Sequence, residues 1–274
     1  MSFWKAASCQ VSQHLKVERT ESMRTPILAG NWKMHCTIAE AQALAVGVAE
    51  GVKGLEGREV ILAPTFTALA TVRDAVAGTN VLLSAQNVYW ENSGAFTGEI
   101  SPAMLRDAGC SHVIIGHSER RQSFGETDYT VAKKIAAAHE HGLIPIFCVG
   151  ESLEQREAGQ TLEWIDKQVR HGLVELPEDG MASLVVAYEP VWAIGTGKVA
   201  TTEQAEEVHA HIRAVLGSFM PNGLADRVRI LYGGSVKPEN VDELMACPNI
   251  DGALVGGAAL KPESFVRIAR YEEK

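Results

Sequence analysis

From residue 25 onward the chain alternates short strand-like runs with helix-like segments eight times, and this regularity most limits the folds open to it. The strand-like runs are aliphatic or β-branched and lack helical spacing, as in buried strands of parallel sheets. We predict strands at residues 27–31, 59–63, 81–85, 112–115, 144–149, 183–188, 228–232 and 250–255. The chain contains eight strand–helix pairs, and its composition does not change along them in a way that would mark a second domain. This favours an α/β fold, a closed (β/α)8 barrel in a single domain. An open doubly wound sheet is the alternative.

Helix starts between these strands carry ordinary sequence signals. Thr37 and Glu40 have the spacing of a capping box, and apolar residues follow them at helical intervals. Proline suits the first turn of a helix, where its missing N–H is not needed. We therefore expect Pro102, Pro238 and Pro262 to lie in first turns of helices, and we expect the barrel to span residues 24–274.

The segment before the barrel does not share its pattern. It holds serines scattered among residues such as Lys5 and Lys16, and it lacks the continuous apolar core of a secretory signal. Because no acidic residue precedes Glu18, a transit peptide is one alternative. We interpret residues 1–23 as an N-terminal extension that is disordered.

The composition argues against several classes of protein. A net charge of −9 opposes binding to nucleic acid. No apolar run approaches the roughly 18 residues of a membrane-spanning helix, so no membrane association is expected. The five cysteines are scattered without a C-x-x-C pair. This pattern predicts neither a disulfide framework nor a zinc site, and it fits a reducing cytoplasm best.

Chemically suggestive side chains recur where the predicted strands end. In a barrel, the C-terminal ends of the strands and the loops that follow them form the active face. The candidate site residues are Asn31 and Lys33 after strand one, His117 after strand four, Glu189 at the end of strand six, Ser235 after strand seven, and Gly256 and Gly257 after strand eight.

Glu189 is followed by a loop with the properties of a lid. Pro190 fixes its own φ and biases Glu189 toward extended backbone, so the carboxylate leaves a rigid strand end. Residues 191–194 are apolar, and Gly195 and Gly197 supply permissive backbone positions after them. We interpret Glu189 as a base with a water-excluding cover. The alternative is a solvated carboxylate at the edge of a strand.

His117 and Lys33 each admit more than one role. A helical turn starting at His117 would favour a neutral imidazole, whereas a capping or core histidine is the alternative. Lys33 could form a Schiff base, steer an anion or act as a surface charge. The glycine pairs at 233–234 and 256–257 leave backbone N–H groups unobstructed where barrels commonly hold phosphate, although tight turns would also explain them.

Five motifs carry a family resemblance. They are NWKM at residues 31–34, GHSERR at 116–121, AYEPVWAIGTG at 187–197, YGGSV at 232–236 and LVGG at 254–257. In order and spacing, the chain from Arg24 to its end resembles the triosephosphate isomerase family. The resemblance implies interconversion of dihydroxyacetone phosphate and D-glyceraldehyde 3-phosphate through an enediolate, in glycolysis and gluconeogenesis, with no cofactor and no metal.

The same resemblance implies roles for individual residues. The catalytic residues would be Glu189 as base, His117 as electrophile, and Lys33 and Asn31 as stabilisers of the enediolate; Gly195, Ser235, Gly256 and Gly257 would bind phosphate; and Ser118, Glu119 and Thr97 would support the site. Ser118 would hold the base at rest, and Glu119 would tune Lys33 or relay protons. Closure of residues 190–198 would protect the intermediate from losing phosphate.

A long loop after strand three bears on assembly. In the resembled family the segment from Tyr89 to Glu99 inserts beside the site of a partner subunit, where Thr97 supports Lys33 and His117. Glu99 would pair with Arg120. The expected assembly is an isologous homodimer, and the alternative for this loop is an ordinary mobile insertion.

Two other classes of function remain open from the sequence. Another phosphosugar isomerase or an aldolase could share the barrel and its phosphate site. An aldolase would form a Schiff base at Lys33, and an epimerase would depend on a metal. A catalytically inactive binding protein would keep the glycines, but the intact set of Glu189, His117 and Lys33 argues against it.

Overall fold

Eight parallel strands close into a barrel in the computed structural model, which describes residues 24–194, 199–221 and 223–272. The strands follow one another around the barrel in chain order, and β8 pairs with β1 to close it. They are β1 (Ile27–Asn31), β2 (Glu59–Ala63), β3 (Val81–Ala85), β4 (His112–Ile115), β5 (Ile144–Val149), β6 (Val185–Tyr188), β7 (Arg229–Tyr232) and β8 (Gly252–Val255). The closed barrel is confirmed, and the open sheet is wrong. The predicted extension at residues 1–23 lies outside the described residues.

Helices follow the strands and cover the barrel. They are α1 (Ile38–Gly51), α2 (Leu69–Ala75), α3 (Pro102–Asp107), α4 (Ser118–Ser123), α5 (Asp128–Glu140), α6 (Leu153–Glu157), α7 (Thr161–Gly172), α8 (Glu178–Met181), α9 (Thr202–Gly217), α10 (Val241–Met245) and α11 (Pro262–Ala269). The capping box of Thr37 and Glu40 begins α1, and proline occupies the first turn of both α3 and α11. No helix in the described ranges is long and apolar enough to cross a membrane.

Strands β7 and β8 begin at Arg229 and Gly252 rather than at residues 228 and 250. Two other boundaries, those of α10 and β6, differ from the prediction because side chains close local turns. Pro238 precedes α10 rather than lying in its first turn. The Asn240 side chain accepts from the Lys237 N–H at 2.8 Å, and this turn delays the start of the helix. Strand β6 begins at Val185 rather than residue 183, since the Ser183 hydroxyl donates to the Gly180 carbonyl at 3.1 Å and completes the turn after α8.

Both faces of the strands are buried, which explains their continuous apolar sequence. Ile27 and Ala29 of β1 point into the barrel interior with Ile61, whereas Leu28 belongs to the larger core between the strands and the helices. Side chains alternate across a strand, so every strand contributes to both cores. This packing makes the strand ends rigid supports for the side chains that follow them.

An ionic cluster lies at the opposite, N-terminal end of the barrel. Arg229 donates to Glu59 at 2.8 Å, and the second Glu59 oxygen lies 4.0 Å from Nε2 of His112. The other ring nitrogen of His112 lies 2.8 Å from the Ser111 hydroxyl. Burial, helped by the positive charge of Arg229, lowers the pKa of His112 from 6.5 to about 4. His112 is therefore neutral at physiological pH.

We predict that His112 makes the fold sensitive to acid. The unfolded chain takes up the His112 proton as pH falls below 6.5, whereas the folded chain takes it up only near pH 4. Stability therefore rises with pH across this window, and His112 alone should account for a loss of about 2 kcal/mol between pH 6.5 and 5. Urea unfolding of His112→Gln across this range should show a shallower pH slope than the unsubstituted chain. The exposed His171, replaced by Gln, is the control, and equal slopes for all three proteins would contradict the assignment.

Candidate active site

A cavity of about 900 Å³ opens at the C-terminal ends of the strands. It gathers residues from Asn31 to Ser264, which lie 233 positions apart in the sequence. The predicted site residues that line it are Asn31, Lys33, His117, Ser118, Glu119, Glu189, Ser235, Gly256 and Gly257. Two predicted residues are not among them: Gly195 lies outside the described residues, and Thr97 lies in the exposed loop after β3.

Glu189 is held at the end of β6 by tight backbone packing. Its N–H donates to the Val149 carbonyl at 2.8 Å, and the residue is only 2% exposed. A Cβ atom at Gly150 would stand 1.8 Å from the Glu189 carbonyl oxygen, and one at Gly233 would stand 2.8 Å from Glu189 Cγ. Glycine is therefore required on both neighbouring strand ends for the carboxylate to occupy this place.

The Glu189 carboxylate accepts hydrogen bonds from the start of α4. The Ser118 N–H donates to Oε2 at 2.9 Å, and the Ser118 hydroxyl approaches Oε1 at 3.4 Å. His117 Nε2 lies 2.9 Å from Oε1. Burial by itself raises the pKa of Glu189, but His117 and the Ser118 N–H outweigh it and leave the pKa below its ordinary value. The carboxylate is thus ionised at neutral pH.

His117 is the N-cap of α4, as the alternative of a capping histidine anticipated. Its Nδ1 accepts the Glu119 N–H at 3.2 Å, so the ring proton of a neutral imidazole sits on Nε2 and points at Glu189. Burial lowers the pKa of His117, but the Glu189 carboxylate reverses this and raises it. A second ring proton would break the bond at Nδ1. The backbone bond therefore favours the neutral ring.

Lys33 adopts an uncommon backbone conformation after β1. Its φ of 51° lies in the left-handed region, which costs a non-glycine residue about 1 kcal/mol or more. The Asn31 side chain accepts the Lys33 N–H at 3.0 Å, and the Gln86 side chain donates to the Lys33 carbonyl at 2.8 Å. The ammonium pairs with Glu119 at 2.5 Å. The strained backbone therefore aims a charged lysine into the cavity.

Two residues that organise the site were missed from the sequence. Gln86, which fixes the Lys33 backbone, directly follows β3. Glu151 follows β5, is fully buried, and accepts from the Trp192 indole at 2.8 Å and from the Tyr188 hydroxyl at 3.1 Å. It thereby anchors the 3₁₀ turn Val191–Ala193, where the predicted lid would begin. Their position in the sequence could have indicated a role in the site, since both residues lie just beyond the C-terminal end of a strand.

The glycine pairs after β7 and β8 line one wall of the cavity, and they differ in the space around them. A Cβ at Gly234 would stand 2.2 Å from the Tyr232 hydroxyl, so only glycine fits there. A Cβ at Gly257 would meet no atom within 4 Å, so its backbone borders open space at the start of the 3₁₀ turn Gly257–Leu260. Backbone N–H groups at such a turn can bind an anion without a side-chain charge.

The described residues include no group of three or more His, Cys, Asp or Glu side chains placed to hold a metal ion. The histidines at spacing i, i+2 on α9 turn to different partners. His209 Nδ1 lies 3.2 Å from the Asn249 carbonyl, and His211 Nε2 lies 3.1 Å from the Leu162 carbonyl. Side chains two positions apart on a helix point to different faces, so this pair does not converge on one ion.

Comparison with known proteins identifies the family. The family model described as triosephosphate isomerase matches residues 26–272. The chain belongs to the triosephosphate isomerase family. Relatives named triosephosphate isomerase are 57% identical in Citrifermentans bemidjiense and 57% identical in Moorella thermoacetica, each over 92% of this chain and 100% of the relative. A third, from a Roseiflexus species, is 55% identical over 91% of this chain and 98% of the relative. The resemblance carried by the five motifs is confirmed.

We predict that His117 keeps the Glu189 carboxylate ionised at rest. In a His117→Leu variant the pKa of Glu189 should rise, because burial would no longer be offset by the imidazole. Carboxyl ¹³C NMR can follow this titration, with a Glu189→Gln variant to assign the signal. Ser118→Ala retains the backbone N–H and removes only the longer hydroxyl contact, so its effect should be smaller. No difference between the two variants would refute this role of His117.

Proposed function

We propose that this chain interconverts dihydroxyacetone phosphate and D-glyceraldehyde 3-phosphate, and that the side chains around Glu189 perform the proton transfer. The reaction is the one named by the family and by its relatives. The observation that carries the residue assignment is a buried, ionised carboxylate 2.9 Å from His117 Nε2 in a cavity that also holds Lys33. A base, a donor and a cation are the groups that an enediolate intermediate requires.

Glu189 acts as the base in this proposal. It removes a proton from the carbon beside the substrate carbonyl and returns it to the neighbouring carbon. At rest its oxygens face the Ser118 N–H and His117 Nε2. To reach a substrate carbon, the carboxylate gives up both of these contacts. Ser118 is therefore a partner of Glu189 only in the resting site. Desolvation in the cavity then strengthens it as a base.

His117 and Lys33 stabilise the charge that develops on the substrate oxygens. Once Glu189 has turned away, the Nε2 proton of His117 is free to donate to the two oxygens of the enediolate. The Lys33 ammonium and the Asn31 amide supply further stabilisation from the end of β1. Glu119 bonds both to Lys33 at 2.5 Å and, through its backbone, to His117 at 3.2 Å, which suits a role in orienting the two groups.

The glycine wall suits the substrate phosphate. Ser235, Gly256 and Gly257 contribute backbone positions around the same part of the cavity, and Gly195 would complete the set when the lid closes. Because the chain has a net charge of −9, local donors must provide the attraction for a dianion. Closure of the lid would exclude water and keep the enediolate from eliminating phosphate.

Lys33 argues against the aldolase alternative. Schiff-base formation requires a free amine, whereas the Lys33 nitrogen is held in an ion pair with Glu119 at 2.5 Å. The pairing suits a lysine that serves as a fixed positive charge. A failure of borohydride to trap substrate on this residue would agree with the isomerase assignment.

We predict that Glu189→Gln lowers kcat by about 10²- to 10⁴-fold, the usual contribution of a general base. The affinity for an unreactive phosphate analogue should change little, because the phosphate wall lies on other strands. A coupled isomerase assay and calorimetric titration of the analogue measure the two quantities. Equal losses of turnover and of analogue binding would reassign Glu189 to a structural role.

We also propose a homodimer, formed through the loop between Tyr89 and Glu99. Large apolar side chains are exposed on segments that follow β1, β3 and β4: Met34 is 92% exposed, Phe124 69%, Met104 54% and Phe96 39%. Exposed apolar groups of this kind mark association surfaces. A second copy of the chain would cover them and bring Thr97 to the neighbouring Lys33 and His117. The pairing of Glu99 with Arg120 stays a prediction. Within one chain, Arg120 Nε lies 3.5 Å from a carboxylate oxygen of Glu126.

We propose that the enzyme works in the cytoplasm. The four described cysteines, Cys36, Cys110, Cys148 and Cys247, are free thiols, which suits a reducing compartment.

The dimer makes a prediction about dilution. Sedimentation equilibrium at micromolar concentration should give twice the chain mass, and specific activity should fall when dilution produces monomers. The reason is that a single chain leaves Thr97 outside its own cavity. A fully active monomer at micromolar concentration would rule out the proposed contribution of the partner.

A further inference from the structure

A series of stacked rings runs through the loop after β3. The Trp90 and Tyr89 ring centroids lie 4.1 Å apart with planes at 30°, and Tyr89 and Phe96 lie 4.7 Å apart at 44°. The ammonium of Lys133, on α5, lies 5.4 Å from the centroid of Trp90. We call Lys133, Trp90, Tyr89 and Phe96 the aromatic ladder. It joins the surface of a helix to the tip of the loop.

The ladder is fixed at its helical end. The Lys133 ammonium also lies 4.7 Å from the ring of Tyr129, one turn earlier on α5, so it sits between two aromatic faces. An exposed cation gains attraction from each such face. The next residue, Lys134, donates to the Asn87 side chain at 2.8 Å. Two consecutive lysines of one helix therefore hold the beginning of the loop.

The ladder is also fixed at its far end. The Tyr89 N–H donates to the Ile100 carbonyl at 2.9 Å and closes the loop, while the Phe96 N–H donates to the Gly94 carbonyl at 3.0 Å. Gly94 has a φ of 143°, and a Cβ there would stand 2.8 Å from Phe96 Cε2, so glycine is needed beneath the ring. These contacts fix Phe96, the residue immediately before Thr97.

We propose that the aromatic ladder preorganises this loop for insertion into a second copy of the chain, with Trp90 and Lys133 as positioning residues for Thr97. The inference rests on the homodimer proposed above and adds the device that shapes its contact. Residues 91–99 are exposed in the single chain, and the ladder packs Phe96 of this segment against Tyr89 and, through Trp90, against Lys133 of α5. A loop ordered before association does not lose that conformational freedom on binding, which strengthens the complex.

The expected change in the dimer dissociation constant follows from the number of aromatic ladders in the dimer. One exposed cation–π contact changes an equilibrium constant by about 2- to 5-fold. A symmetric dimer inserts two loops, so breaking the contact in both chains should raise the dimer dissociation constant by about 4- to 25-fold. The active site itself is unchanged once the dimer has formed, because neither Trp90 nor Lys133 lines the cavity.

The test compares three substitutions of a lysine or its aromatic partner. Lys133→Gln and Trp90→Leu each remove one side of the contact, and Lys133→Arg retains the cation. The matched control is Lys167→Gln, which removes the same type of contact on α7, where the Lys167 ammonium lies 5.2 Å from the ring of Trp164. The measurements are the dimer dissociation constant from sedimentation and the specific activity as a function of chain concentration.

We expect Lys133→Gln and Trp90→Leu to lose activity at nanomolar concentration and to regain it at micromolar concentration, with KM unchanged. Lys133→Arg and Lys167→Gln should follow the unsubstituted chain. A purely structural defect would lower activity at every concentration, and this result would overturn the proposal. The proposal would also be overturned if the chain is a dimer but Lys133→Gln and Trp90→Leu have the same dimer dissociation constant as Lys167→Gln. If the unsubstituted chain is an active monomer, both the homodimer and the ladder are wrong.

Discussion

The pairing of β8 with β1 is the contact on which the candidate active site depends. It turns a row of eight strands into a ring, so residues after the first and last strands become neighbours. The consequence is visible at Gly256, where a Cβ atom would stand 3.3 Å from Lys33 Cε. An open sheet would leave these residues at opposite edges. Closure therefore does more than hide two strand edges, since it creates the cavity of the candidate active site.

Within that cavity, the charges are arranged so that burial does not neutralise them. Glu189 is almost fully buried, which disfavours its charged form, yet the helix start at His117 and Ser118 supplies hydrogen bonds that outweigh the cost. The same backbone turn donates to His117 Nδ1 and so orients the imidazole. One short helix thus sets the protonation of both groups. Lys33 and Glu119 form a second pair nearby, in which each partially neutralises the other.

Much of this arrangement could be predicted because it depends on local patterns and on order along the chain. Strand runs bounded by turns fixed β1 to β5 at their observed limits, and a strand end followed by proline identified Glu189. What could not be predicted depends on contacts between distant segments. Gln86 and Glu151 are ordinary polar residues in the sequence, and their importance appears only when they meet the Lys33 carbonyl and the Trp192 indole. Local side-chain turns also moved the start of β6 and of α10, which propensity alone does not resolve.

The packing of Gly150 against the Glu189 carbonyl has a consequence for how this chain can change. With only 1.8 Å between that oxygen and the place of a first side-chain carbon, even alanine would push β5 and β6 apart. The backbone of Glu189 therefore excludes any larger residue at position 150, although Gly150 does not line the cavity of the candidate active site. An engineer choosing a mutational library for altered substrates would do well to leave this position untouched and to diversify the outer rim of the cavity.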